Sequence, residues 1–315
     1  MADLALAVDI GGTKLAAGLV GLDGSLVERA MQPTRRLAVG EGGGGGAGAG
    51  VGSSEGAVAG GGPAELLWCD LAGLVGDVVA RLGSGDRLVV CGAGCGGPMT
   101  PGGEEVSPLN IPAWRSFPLR ARLAALTGLP TYVDNDAKAL ALGEGWVGAA
   151  SGARDYIGMV VSTGVGGGIV LDGRLLDGRL GNAGHVGHVI VVPDGRVCRC
   201  GGRGCLEAEA SGTAVAAITG EPARLASAAV IERTGTLVGR ALASVVNLLD
   251  LPLAVVSGSV ALGFGTPFFD AAQAEMDRLC RLDYARGARV IPGGLGDEGP
   301  LVGAARVGLR GLAVP

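Results

Sequence analysis

Residues 4–20 read Leu4-Ala5-Leu6-Ala7-Val8-Asp9-Ile10-Gly11-Gly12-Thr13-Lys14-Leu15-Ala16-Ala17-Gly18-Leu19-Val20. Two short apolar runs fit for buried strands flank a Gly-Gly turn, which is the pattern of a β-hairpin. Asp23-Gly24 supplies the next tight turn. A second hairpin is predicted from 157–161, then Ser162-Thr163-Gly164-Val165-Gly166-Gly167-Gly168, then 169–171 and the Asp172-Gly173 turn. After each hairpin, helix and strand patterns alternate. Helices are expected over 66–82, 120–126, 137–142, 236–249 and 300–312, and strands over 88–91, 131–133 and 254–256; residues 92–103 read as a Gly/Pro loop. Two halves built alike imply a duplicated α/β architecture, in two lobes with a cleft between them.

Composition bounds the possibilities. At 315 residues the chain is long enough for about two lobes of roughly 150 residues each. A hydrophobic fraction of 48% against 17% charged residues excludes an intrinsically disordered chain. The net charge of −5, with no run of Lys or Arg, lacks the electrostatic footprint of a nucleic-acid binder. Apolar stretches such as 251–269 are broken by Pro252, Gly258, Gly263, Gly265 and Pro267, so no membrane span is expected. The N-terminus has no basic segment and reaches Asp9 early, which argues against a secretory signal and for a cytoplasmic protein. Glycine makes up 62 of the 315 residues, against a usual value of roughly 7%. Thirteen of those glycines fall within residues 40–62, where a flexible insertion is expected.

Three groups of residues carry chemistry. Glycines in a strand-to-strand turn let backbone N–H groups approach a phosphate, and Asp9, Gly11, Gly12, Thr13 and Lys14 fit that use. Neither a Rossmann fingerprint nor a Walker loop is present, since both need a helix directly after the glycines. Cys198, Cys200 and Cys205 place three thiolates on a glycine-rich loop, and His188 ten residues upstream completes a Cys₃His set that points to structural zinc. Asp134 and Asp136 stand where a helix begins. Either carboxylate could cap that helix or accept a proton from a substrate hydroxyl, as phosphoryl transfer to an alcohol requires.

In order along the chain, Val8-Asp9-Ile10-Gly11-Gly12-Thr13-Lys14, Asn135-Asp136-Ala137, Ser162-Thr163-Gly164-Val165-Gly166-Gly167-Gly168, Gly184-His185-Val186-Gly187-His188 and the run from Cys198 through Cys205 to Glu207 resemble the ROK family of sugar kinases and repressors. The resemblance spans nearly the whole chain, and the cysteine motif with its following Glu is its most specific part. It implies an actin-like, ribonuclease-H-like pair of domains that phosphorylates a hexose from ATP with magnesium. The smaller domain would comprise residues 1–119 with a returning helix at 300–315, and the larger would comprise 120–299 with the zinc loop. Asp136 matches the catalytic base acting on the sugar's 6-hydroxyl. Asp9 to Lys14, with Thr163 and Gly164, match the two phosphate loops, and Gly258 and Ser259 fall at the adenosine loop, where Ser257 replaces a family glycine. Asn110, Asn135, His188 and Glu207 match sugar-contacting positions, with Gly97 closing the site. A homo-oligomer, dimer or tetramer, is also implied.

One position departs from the glucokinase pattern Gly-Glu-x-Gly-His: here His185 stands in place of Glu. A carboxylate offers two acceptor oxygens to vicinal hydroxyls, whereas a neutral imidazole offers one acceptor and one donor. Bacterial N-acetylmannosamine kinases of the family carry a similar Gly-His-x-Gly-His, so the resemblance favours an acetamido sugar, with glucose as the alternative. The repressor branch places a helix-turn-helix ahead of the Asp9 motif. Here the first predicted strand begins at about residue 4, so a DNA reader is not expected.

Overall fold

The computed structural model describes residues 2–35 and 62–313. The glycine-rich insertion expected at 40–62 lies outside the described residues, apart from Gly62. The strands are β1 (Asp3–Ile10), β2 (Lys14–Gly21), β3 (Leu26–Pro33), β4 (Arg87–Cys95), β5 (Thr131–Asn135), β6 (Tyr156–Val161), β7 (Val165–Leu171), β8 (Arg174–Leu175), β9 (Leu253–Ser257) and β10 (Arg289–Pro292). The helices are α1 (Pro63–Val79), α2 (Leu119–Thr127), α3 (Asp136–Val147), α4 (Leu206–Ala210), α5 (Gly212–Thr219), α6 (Ala228–Leu249), α7 (Ser259–Phe264), α8 (Thr266–Leu279) and α9 (Gly299–Ala313).

Among the described residues, two five-stranded sheets share one plan. The first runs β3-β2-β1-β4-β5 and the second β8-β7-β6-β9-β10. In each, a three-strand antiparallel meander is followed by two strands parallel to its first member. The fold is α/β and duplicated. Helices α3 and α9 pack on each other, α9 lying on β1 and β4 while α3 lies on β6 and β7. The outer faces are covered by α1 on the first sheet, around Leu67, Leu71 and Val78, and by α6 and α8 on the second, around Val238, Leu242, Phe268 and Met276. Each such fully buried side chain contributes about 1.5–3 kcal/mol. Among the described residues no helix is long and apolar enough to cross a membrane.

Four expectations need correction, and three of them turn on glycine. Residues 92–95, read as loop, continue β4, because the backbone of α9 at Ala304 sits where a side chain at Gly92 would project, and a Cβ at Gly94 would lie 3.3 Å from Cα of Asp136. The second hairpin turn is only Ser162-Thr163-Gly164: β7 starts at Val165, and its Gly166 and Gly168 let α3 press onto the strand, with Ala137 at 2.8 Å from a Cβ built on Gly166. Helix α6 begins at Ala228 rather than 236, since Gly235 and Gly239 lie inside it, where the backbone of α8 crosses at Phe268 and Ala272. Finally, a boundary after residue 119 would cut the first sheet, because β5 is its edge strand and α2 packs against β5. The first sheet ends at Asn135, and α3 passes to the second.

Candidate active site

The ends of both sheets open onto a cleft of about 1180 Å³. Its first wall is the β1–β2 turn. Gly11 donates its N–H to the Lys14 carbonyl at 2.9 Å, and the Thr34 hydroxyl donates to the Gly11 carbonyl at 2.7 Å, so the turn is held from outside. A Cβ at Gly12 would lie 2.9 Å from Asn110, and one at Gly96 would lie 3.0 Å from Asn110 Oδ1. Asn110 is therefore wedged between the β1–β2 turn and the loop after β4.

The opposite wall is the β6–β7 turn. The N-terminus of α5 braces it, as Gly212 N–H donates to Ser162 O at 2.7 Å and Thr213 Oγ1 to Thr163 O at 2.9 Å. Glu207, in the first turn of α4, accepts from Val165 N–H through Oε2 at 3.0 Å, which fixes that carboxylate beside Gly164. Gly258 has a φ of +100° and packs against the Val161 backbone, a conformation and an approach that both exclude a side chain. Ser259 Oγ lies 3.0 Å from Ser162 Oγ, so the β9–α7 junction adjoins this turn. The Ser257 hydroxyl donates to Glu144 Oε1 at 3.1 Å. Glu144 also accepts from the backbone N–H of Ala149, Gly294 and Leu295 at 2.8, 3.0 and 3.3 Å, an organising carboxylate that sequence reading missed.

Between the walls lies the β5–α3 junction. Asn135 caps α3: its Oδ1 accepts from Ala137 and Lys138 N–H at 3.0 and 3.3 Å. Neither Asp is the cap. Asp134 is committed elsewhere, paired at 2.8 Å with the buried Lys138. Asp136 accepts from Ala137 N–H through Oδ1 at 2.8 Å, and its Oδ2 has no protein donor among the described residues. Burial pushes the Asp136 carboxyl above its ordinary value, opposed by the Ala137 N–H and by His185. Asp9, at the end of β1, is pushed up to about 7 by burial and by the charge of Asp136, with Lys14 acting the other way. Of the two, Asp136 lines the cleft, whereas Asp134 is held in its ion pair with Lys138.

Gly97, Asn135 and His185 come together on the remaining side, since a Cβ at Gly97 would lie 3.2 Å from His185 Nε2 and 3.4 Å from Asn135 Nδ2. His185 Nδ1 lies 2.9 Å from the Asn182 carbonyl, which can only accept, so Nδ1 carries a proton and a neutral ring presents Nε2 to the cleft as an acceptor. Asn182 itself, absent from the sequence motifs, brackets Met99: its Oδ1 accepts from Met99 N–H at 3.3 Å and its Nδ2 donates to Met99 O at 3.0 Å.

His188 stacks with His185 at 6.1 Å between ring centroids and turns its Nδ1 to Cys198 Sγ at 3.7 Å. The ligand atoms of His188, Cys198, Cys200 and Cys205 all lie within 4.8 Å of one another, with Cys200 and Cys205 Sγ 3.7 Å apart. Tetrahedral zinc with Zn–S bonds of about 2.3 Å needs sulfur–sulfur separations of about 3.7–3.8 Å, so the donor set and its spacing fit that ion. Cys205 is also the residue that opens α4, and Glu207 follows two positions later. Glu209 holds the loop from behind, accepting from Arg196 N–H at 2.7 Å and from Arg233 at 2.6 Å.

Residues 70–310 match the ROK family. N-acetylmannosamine kinase from Escherichia fergusonii is 35% identical over 276 residues, covering 82% of this chain and 84% of that protein. Glucokinase from Thermotoga maritima is 34% identical over 212 residues, covering 67% of this chain and 58% of that protein. Among solved structures, a ROK family glucokinase from Streptomyces griseus in complex with glucose and AMPPNP superposes with a TM-score of 0.77 at 28% identity, covering 98% of this chain and 99% of that one. By sequence and by fold, the chain belongs to the ROK family, as a phosphotransferase of its sugar-kinase type.

Proposed function

We propose that this protein transfers the γ-phosphoryl group of ATP to the 6-hydroxyl of N-acetylmannosamine or a closely related hexose. The observation that carries the reading is Asp136: a carboxylate with one oxygen fixed by Ala137 N–H and the other free, set between two glycine turns and the Gly97–His185 wall. In the transfer, the 6-hydroxyl gives its proton to Asp136 Oδ2 as its oxygen bonds to the γ-phosphorus, and the bond to the β-phosphate bridging oxygen breaks, leaving ADP. The base must be ionised to accept that proton, and burial raises its basicity.

Gly11, Gly12, Thr13 and Lys14 would hold the phosphates from one lobe and Thr163 with Gly164 from the other, with Gly258 and Ser259 on the adenosine side. Magnesium, when bound, neutralises charge on the phosphate oxygens; Asp9 is a hard oxygen donor suited to it, and its carboxyl, pushed up to about 7, is one that a nearby cation would favour in the ionised form. Sugar hydroxyls would be read by Asn110, Asn135, His185, His188 and Glu207, with Gly97 leaving room for the ring. Zinc at the Cys₃His set would act on shape alone, fixing the start of α4 and with it Glu207.

The acetamido preference rests on His185 Nε2, a single acceptor where a carboxylate would supply two. Glucose is the second reading, favoured by the glucokinases among the relatives. A coupled assay over N-acetylmannosamine, N-acetylglucosamine, glucose and mannose, with ATP and polyphosphate as donors, tests both. A kcat/KM for glucose above that for N-acetylmannosamine would replace the first reading by the second, and no turnover of any sugar would refute both.

A further inference from the structure

Lys138 is a fully buried ammonium, with its side chain 2% exposed, and each of its three N–H donors has one acceptor: Asp134 Oδ1 at 2.8 Å, Asp177 Oδ1 at 3.0 Å and Gly181 O at 3.1 Å. Arg310 of α9 closes the ring, 2.8 Å from Asp177 Oδ2 and 3.8 Å from Asp134 Oδ2. Two cations meet two carboxylates, and each carboxylate uses one oxygen for each cation. Lys138 is buried and Asp134 mostly so, while Asp177 and Arg310 are partly exposed, so removing the ammonium is costly chiefly because Asp134 keeps its charge and loses its match.

The ring joins parts that otherwise have little in common. Asp134 and Lys138 flank Asp136, two residues away on either side. Asp177 and Gly181 begin the segment that ends in His185, and that segment has almost no regular structure: Gly178, Gly181 and Gly184 all have positive φ. A glycine-rich stretch with no ladder hydrogen bonds has few contacts of its own to fix where His185 lies, chiefly the Ala183 N–H on the Asp177 carbonyl at 3.0 Å and Gly184 packed on the Gly167 backbone. Side-chain attachments supply the rest. Lys138 holds Gly181, the next residue Asn182 brackets Met99, and the Asn182 carbonyl accepts a hydrogen bond from His185 Nδ1–H.

We infer that Lys138 is a positioning residue for the sugar site, setting His185 Nε2 at a fixed distance from Asp136 through Gly181 and Asn182. This rests on the reading of the cleft as a sugar site. It predicts that loss of the ammonium loosens sugar recognition while leaving the nucleotide turns, which lie on other elements, as they are.

The test uses the full chain and four variants: Lys138→Met, Asp177→Asn, His185→Ala and the double variant Lys138→Met with His185→Ala. Lys138→Met should raise the sugar KM by roughly 10- to 100-fold, the usual size of a misplaced binding group, while the KM for ATP stays within about twofold. In the His185→Ala background the same change should add less than about threefold, since residues acting through one another are not additive. If Lys138→Met adds its whole factor there, or raises both KM values alike, Lys138 is a packing residue and the inference fails. If His185→Ala alone leaves the sugar KM unchanged, it is the assignment of His185 to the sugar that fails. Should Lys138→Met not fold, Asp177→Asn, whose side chain is 48% exposed, removes one arm of the ring more gently. It should raise the sugar KM selectively by roughly 3- to 10-fold, and no change in either KM overturns the inference.

Discussion

Replacing Asp9 by Asn should stabilise the protein while disabling it, and the size of the gain follows from where the carboxylate sits. Burial and the charge of Asp136 push the Asp9 carboxyl from 3.8 up to about 7. Between those two values the folded chain holds a proton on Asp9 that the unfolded chain has released. Stability therefore falls as pH rises from about 4 through about 7, the sign opposite to that of a salt-bridged carboxylate. At about 1.36 kcal/mol per pH unit, the full interval amounts to about 4 kcal/mol. That is a large share of the roughly 5–15 kcal/mol that keeps a domain folded. Asparagine has the same shape and never ionises. Urea unfolding of both proteins from pH 5 to pH 8.5, without added magnesium, should show a downward slope in the wild type that is largely absent in Asp9→Asn, and a variant more stable by several kcal/mol at the alkaline end. Asp134 titrates in both proteins, so the difference between the two curves reports Asp9 together with its coupling to Asp136. Parallel curves would refute the reasoning, because they would mean that Asp9 ionises in the folded protein as freely as in the unfolded chain.

Asp136→Asn should keep sugar binding and lower kcat by about 10²- to 10⁴-fold, the usual contribution of a general base; in the wild type, kcat should fall on acidification at a pH above the ordinary carboxylate range, as measured by a pH–rate profile. Cys200→Ser should release the ion, seen as loss of zinc in elemental analysis, and raise the sugar KM through displacement of Glu207, although Cys200 itself does not line the cleft. Purified wild-type protein without zinc would overturn that assignment. His185→Glu should shift the ratio of kcat/KM for glucose over N-acetylmannosamine upward by roughly 5- to 150-fold, the equivalent of one mismatched buried hydrogen bond; an unchanged ratio with zinc retained would remove His185 from sugar recognition.

What could be read from the sequence was what lies close along the chain. The two hairpins announce themselves through an apolar run, a glycine turn and a second apolar run within about twenty residues, and the four candidate metal ligands fall between 188 and 205. Composition left Asp134 and Asp136 open, and only the resemblance pointed to Asp136; what ties up Asp134 is Lys138, whose other carboxylate partner, Asp177, lies 39 residues further on. The Ser257–Glu144 pair spans 113 residues and the Asn182–Met99 bracket 83, and neither leaves a local signature.

Glycine misled for a different reason. At Gly11, Gly12 and Gly164 it forms turns, and reading it as punctuation was correct. At Gly92, Gly94, Gly166 and Gly168 it lies inside strands, and at Gly143 and Gly303 inside helices, where a Cβ would strike the neighbouring element. Both uses look alike in a sequence, since each is a residue without a side chain. Flanking residues separate them: Cys91-Gly92-Ala93-Gly94-Cys95 is small and apolar throughout and has none of the Asn, Asp, Ser or Pro that accompany a turn. Packing of this kind lets α3 and α9 lie directly on the two sheets, and that close seating brings the first residue of α3, Asp136, near enough to the end of β1 for its charge to be felt at Asp9. The paired carboxylates at the floor of the cleft are therefore a consequence of strand and helix glycines that make no turn at all.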